Sequence, residues 1–121
     1  MVKVGIVGYR NFTDVKMFNR KIKEFEEIHG EITIVVSGGA QWADTLAENY
    51  ADNNELEKII HPAKWYINGK MDRSAGPRRN TLIIDDSDYL IAFVSKYSKG
   101  TFDSINKAKK KDIPVFRVDI D

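Results

Sequence analysis

Apolar and polar positions along the chain follow two alternating rhythms. Short apolar runs at residues 2–8, 32–36, 56–60, 89–94 and 114–118 carry most of the Val and Ile, as strands buried on both faces do. Between them, apolar side chains recur at helical spacing. Val15, Phe18, Ile22, Phe25 and Ile28 define a first helix, with Thr13 as its expected cap, Phe12 packing on Met17, and Gly30 as its stop. A second helix runs from Ala40 to about Asp52 and presents Ala43, Leu46, Ala47, Tyr50 and Ala51. Ser74-Ala75-Gly76-Pro77 opens a third, leading through Leu82, Ile83 and Ile84 toward the core. Ser98-Lys99-Gly100-Thr101 opens a fourth, whose Ile105 and Ala108 face inward and whose end is rich in lysine.

Strand alternating with helix predicts an α/β fold, a parallel sheet with helices on both faces, in a single domain over residues 1–121. Ligands of such sheets sit beyond the carboxyl ends of the strands, where strand order reverses. Four loops leave those ends: Gly8-Tyr9-Arg10, Ser37-Gly38-Gly39, the long stretch from His61 to Arg79, and Ser95 to Thr101. Connections as long as the third are uncommon in a small domain and often functional.

Composition narrows the chemistry. The 121 residues carry a net charge of +1, so there is no global pull toward nucleic acid or an anionic membrane. Cysteine is absent, which removes disulfides, thiolate nucleophiles and thiolate metal sites together. The apolar start, Met1 to Gly8, is too short for a signal peptide, and no segment approaches the roughly 20 apolar residues that span a bilayer. A cytoplasmic location without membrane contact is expected. His29 and His61 have no partner at metal-ligand spacing, and Asp85, Asp86 and Asp88 read as a helix end and turn. No metal or cofactor is expected.

The strand-turn-helix at Ser37-Gly38-Gly39-Ala40 has the form of an anion seat, because the first N–H groups of a helix lack partners and lie at its positive pole. The bland alternative is a tight turn that binds nothing. Gly100-Thr101 carries the same pair of readings, capping or phosphate contact. Residues 61–80 hold five basic side chains (Lys64, Lys70, Arg73, Arg78, Arg79) against one acidic one, Asp72, a focused charge that favours an anionic ligand. The planar fork of arginine suits phosphate.

Gly8-Tyr9-Arg10, Ser37-Gly38-Gly39-Ala40 with Ala43-Asp44, Ala75-Gly76-Pro77 with Arg79-Asn80, and Lys99-Gly100-Thr101 stand in the order found in the SLOG superfamily. The chain resembles its YspA-like (YpsA-related) branch, common in bacteria and phages, over nearly its whole length. That resemblance implies a Rossmann-like doubly wound sheet of about five strands in the order 3-2-1-4-5. It also implies a pocket for a nucleotide or nucleotide-derived phosphate ligand, and pairing into a homodimer. More distantly the chain is similar to the LOG phosphoribohydrolases, which cleave the base–ribose bond of nucleoside monophosphates, and to the DNA-processing protein DprA, which binds single-stranded DNA.

Three positions depart from these patterns. Ser104 stands where the Gly-Gly-x-Gly-Thr-x-x-Glu motif of the LOG enzymes has its catalytic glutamate, and Asp103 lies one residue early, about 100° around the helix. Trp42 replaces a small residue, and Lys64 replaces an acidic one before Trp65. The expected ligand contacts are Gly8, Tyr9, Arg10, Ser37, Gly38, Gly39, Ala40, Asp44, Trp65, Arg79, Asn80, Lys99, Gly100 and Thr101. Arg79 is the leading candidate for phosphate contact or transition-state stabilisation. Asp44 and Asp103 each either stabilise the helix dipole or bond a ribose hydroxyl, and either is a candidate to assist hydrolysis. Tyr9, Trp42 and Trp65 either stack on a base or fill the core. Three functions follow as expectations: a nucleotide-binding protein that also hydrolyses the N-glycosidic bond, a nucleotide sensor or sequestering module without chemistry, and a single-stranded nucleic-acid binder using the basic stretch with Trp65 and Tyr66. The low net charge counts against the last.

Overall fold

The computed structural model describes residues 2–9, 11–39 and 43–121, with only the backbone of Ala43 and Asp44. Arg10, Ala40, Trp42 and the Asp44 side chain, all singled out above, lie outside the described residues. In chain order the elements are β1 (Lys3–Gly8), α1 (Val15–His29), β2 (Ile34–Ser37), α2 (Ala43–Asn53) and β3 (Glu57–Ile60). They continue with β4 (Tyr66–Ile67), β5 (Lys70–Met71), α3 (Ala75–Asp85), β6 (Tyr89–Val94), α4 (Lys99–Lys110) and β7 (Val115–Asp119). Five strands form one sheet in the order β3-β2-β1-β6-β7, every pairing parallel. Counted among the sheet strands alone, this is the expected order 3-2-1-4-5.

Side chains alternate across the sheet with the period of two that a pleated strand imposes. On one face Val4 and Ile6 of β1, Val35 of β2 and Ile91 and Phe93 of β6 pack with Phe18, Ile22 and Phe25 of α1 and Ala47 and Ala51 of α2. On the other, Val7, Val36, Leu90, Ala92 and Val94 pack with Ile83 and Ile84 of α3 and Ile105 and Ala108 of α4. Phe18 and Phe93 stack at 5.2 Å and Phe12 and Phe93 at 4.9 Å. Each such buried ring contributes about 1.5–3 kcal/mol.

The start of α1 corrects an expectation. Asp14, not Thr13, is the cap, its carboxylate accepting from Met17 N–H at 3.0 Å. Both residues are good caps, and the extended backbone at Asp14 decides between them. Gly30 closes the helix in the left-handed region (φ 94°), donating its N–H to Glu26 O. The long stretch after β3 is not irregular throughout, since β4 and β5 pair as an antiparallel hairpin outside the main sheet.

Candidate functional site

In this sheet the chain order reverses between β1 and β6, and there the carboxyl ends of the strands open a crevice. Tyr9 N–H donates to Phe93 O at 2.9 Å, fastening the end of β1 to β6. Beyond that bond lies a cavity of about 330 Å³, lined by Gly8, Tyr9, Tyr97, Ser98, Lys99, Gly100 and Thr101. The size falls at the low end for small-molecule sites, roughly 300–1,000 Å³. Its floor is the first turn of α4. Ser98 stands at the cap position but its hydroxyl accepts no N–H from the helix; it accepts from Ser95 N–H at 2.9 Å instead. Among the described residues nothing accepts from Gly100 or Thr101 N–H. Two donors without acceptors among the described residues, at the positive pole of a twelve-residue helix, with Lys99 the one charged residue among the described lining, suit an anion.

Five of the sequence-predicted contacts, Gly8, Tyr9, Lys99, Gly100 and Thr101, therefore meet in one cavity. Tyr97 and Ser98 line it too; they belong to the Ser95 to Thr101 loop placed at this edge but were not among the expected contacts. Tyr97, 67% exposed, is an aromatic in a loop without periodicity, so only its position beside a glycine-opened helix could have signalled it.

The remaining predicted residues form a second assembly beside the cavity. Arg79, half-buried on α3, donates from Nη1 to Gly38 O at 3.0 Å and from Nε to Asn80 Oδ1 at 3.1 Å. Asn80 is buried and donates to Gly100 O at 3.3 Å and to Asp103 Oδ2 at 3.1 Å. Lys107 closes the chain of contacts with a 2.9 Å ion pair to Asp103 and a bond to Pro77 O. Adjacent residues of α3 thus tie the Gly38 turn to the first turn of α4. Two donors of the Arg79 fork are spent within the protein, and Arg79 does not line the cavity. Ser37 is fully buried, and its hydroxyl lies 3.5 Å from Gly39 N. Trp65 also stands apart from the cavity, its ring edge 3.1 Å from where a Cβ on Gly76 would sit.

Asp103, Asp72, Asp85 and Asp86 each have a partner outside the cavity. Asp103 is held by Asn80 and Lys107. Ser104, in the place of the LOG glutamate, is buried with its hydroxyl 3.4 Å from Gly100 O. Arg78 pairs with Asp72, and with the Ser74 hydroxyl it holds that carboxyl down at about 2. His61 pairs with Asp86, and Asp85 with Lys111. Among the described residues no group of three or more His, Cys, Asp or Glu is placed to hold a metal, and no helix is long and apolar enough to cross a membrane.

Comparison with solved structures gives the fold independent support. The DNA processing protein A of Streptococcus pneumoniae superposes with a TM-score of 0.80 at 21% identity, covering 100% of this chain and 51% of that one. The DNA processing protein A of Helicobacter pylori, described for its single-stranded DNA binding mode, gives 0.66 at 20% identity over 99% of this chain and 66% of that one. The chain thus spans about half to two thirds of the length of these proteins. No curated protein matches it. The model of the YspA, cpYpsA-related SLOG family matches residues 2–66, from β1 through β2, α2 and β3 into β4. With more than half its length under that model and the strand order of the sheet in agreement, the chain belongs to the YspA, cpYpsA-related SLOG family.

Proposed function

We propose that the protein binds a nucleotide or nucleotide-derived phosphate in the cavity beyond β1 and β6. The observation that carries this reading is the pair of N–H groups, Gly100 and Thr101, without an acceptor among the described residues, on residues that line a cavity at the point where strand order reverses. Phosphate sits on those donors beside Lys99, and the base lies against Tyr9 and Tyr97. This shifts the base from the side of Trp65 to that of Tyr97. Arg79 supports the site from outside, by holding the Gly38 turn.

Binding without chemistry is the favoured form. N-glycosidic cleavage needs a carboxylate near the ribose to steady the oxocarbenium or activate water. Among the described residues, Ser104 supplies none, and Asp103 is paired with Lys107 outside the cavity lining. Titration calorimetry against a panel of nucleoside mono- and diphosphates tests the reading. At least one member binds, and Lys99→Glu weakens it about tenfold or more. If no nucleotide binds, or Lys99→Glu leaves affinity unchanged, the reading fails. Mass spectrometry of the same mixtures separates binder from hydrolase: free base released in an Arg79-, Asp44- or Asp103-dependent manner overturns the choice against chemistry.

A further inference from the structure

A second cavity, of about 280 Å³, shares Tyr9 with the first as a wall. A tight turn joins the two as well. Ser95 lines the second and Ser98 the first, and they are bonded by Ser98 N–H to Ser95 O at 3.0 Å and Ser95 N–H to Ser98 Oγ at 2.9 Å. Their chemistry is opposite. The described lining of the first carries one charge, Lys99, whereas that of the second carries Asp14 and Asp121 and no cation. The first also holds a further donor. Thr101 is 5% exposed, and its hydroxyl meets no partner among the described residues. No fully buried polar side-chain atom among those residues lacks a partner, so this hydroxyl opens onto the cavity that Thr101 lines.

Asp121 is held in place on the other side of Tyr9. Ile120 N–H donates to Val94 O at 2.9 Å, fastening the chain beyond β7 to the end of β6. Ser95, 2% exposed, donates its hydroxyl to Asp121 Oδ2 at 3.0 Å. Among the described residues Asp121 has no cationic partner, and nothing donates to its Oδ1. Asp14 is less available, since its carboxylate caps α1. A fixed carboxylate accepts only, through two oxygens in one plane, and is matched by two N–H donors side by side. A ligand that spans both cavities thus carries an anion at one end, a flat face at Tyr9 and paired donors at the other end. Guanine alone among the common bases has such an edge, N1–H beside the 2-amino group. Adenine and cytosine set their amino group next to a ring-nitrogen lone pair, and uracil sets N3–H between two carbonyls, so each turns an acceptor toward the carboxylate. We infer that the ligand is a guanine nucleotide, with phosphate on Gly100, Thr101 and Lys99 and the guanine edge on Asp121. This rests on the nucleotide reading above and adds the identity of the base.

Titration calorimetry of the whole chain with the 5′-monophosphates of guanosine, inosine, adenosine, cytidine and xanthosine tests it. Guanosine monophosphate binds about tenfold or more tighter than inosine monophosphate, which lacks only the 2-amino group. Asparagine at position 121 keeps one acceptor and brings one donor, the pattern that xanthine complements with N1–H beside a 2-oxo group. Asp121→Asn therefore weakens the guanine ligand about tenfold and makes the xanthine ligand the tighter of the two. Lys99→Glu weakens every member alike and leaves their ratios unchanged. Asp121 is exposed, and the asparagine oxygen still accepts from Ser95, so thermal melting of this variant matches the parent. Nucleotide binding without a guanine preference, or a preference that survives Asp121→Asn, overturns the choice of base and leaves the nucleotide reading standing. Binding of no member of the panel overturns both.

Discussion

Replacing Gly38 by alanine would put a Cβ 2.4 Å from Arg79 Nη1, 2.9 Å from its Cδ and 3.0 Å from its Cζ. Gly38 is outside the left-handed region, so alanine fits the backbone there and the strain falls on Arg79, which must leave. Its departure forfeits the bonds to Gly38 O and Asn80 Oδ1. Charged donors contribute about 1.5–3 kcal/mol each when buried, and a half-buried guanidinium that water can reach retains about 1–2 kcal/mol for the pair of bonds. Alanine also restricts the unfolded chain, which returns about 0.4–1 kcal/mol. Gly38→Ala therefore destabilises by about 0.5–1.5 kcal/mol. In an Arg79→Ala background the obstruction is gone, and the same substitution stabilises by about 0.4–1 kcal/mol. Urea unfolding of the four proteins reads this reversal of sign directly, and in a chain of this size each kcal/mol moves the melting temperature by about 3–5 °C. If the two changes add to within about 0.3–0.5 kcal/mol, Arg79 does not lie over Gly38 and the tie between the two turns is wrong.

Three further outcomes follow from the same geometry. Asn80→Leu removes the bonds to Gly100 O and Asp103 and strands Arg79 Nε. It costs about 2–4 kcal/mol in urea unfolding, more than Arg79→Ala; an equal or smaller loss refutes the central place of Asn80. Asp72 is held from 3.8 to about 2, by Arg78 first and then Ser74, so its contribution is whole above the unfolded value of 3.8 and lost as pH falls through about 2. A carboxyl titration by NMR has its midpoint near 2 for this residue, and Arg78→Ala returns it toward the ordinary value. Burial first, then the 2.8 Å bond to Glu26, raises the Tyr50 phenol above the usual range. A raised group stabilises below its unfolded value near 10 and ceases to as pH climbs. Spectrophotometric titration should therefore show a phenol that stays unionised until the fold gives way, and Tyr50→Phe removes that late step at a cost of about 1 kcal/mol.

The architecture was legible because burial imposes local periods. Strands read as apolar runs, helices as apolar spacing of three and four, and their alternation required parallel strands with the ligand edge at the carboxyl ends. The order of strands came from motifs matched as a set, which no single run of residues encodes. The hairpin had a signal in Asn68-Gly69, but two-residue strands are too short to show a period. At the start of α1, Thr13 and Asp14 were interchangeable on paper, and backbone angles chose between them.

At the ligand edge the residue types were visible and their partners were not. Which turn lies against which helix depends on strands far apart in the chain: Arg79 finds its acceptor 41 positions away, and Tyr97 reaches the cavity only because β6 lies beside β1. Sequence alone determined that glycines and helix starts gather at one edge, since a helix between each pair of strands makes every strand run the same way. Tertiary structure alone decided that Arg79 is spent on a carbonyl while Gly100 and Thr101 meet no acceptor among the described residues, because hydrogen-bond partners are assigned by distance in space.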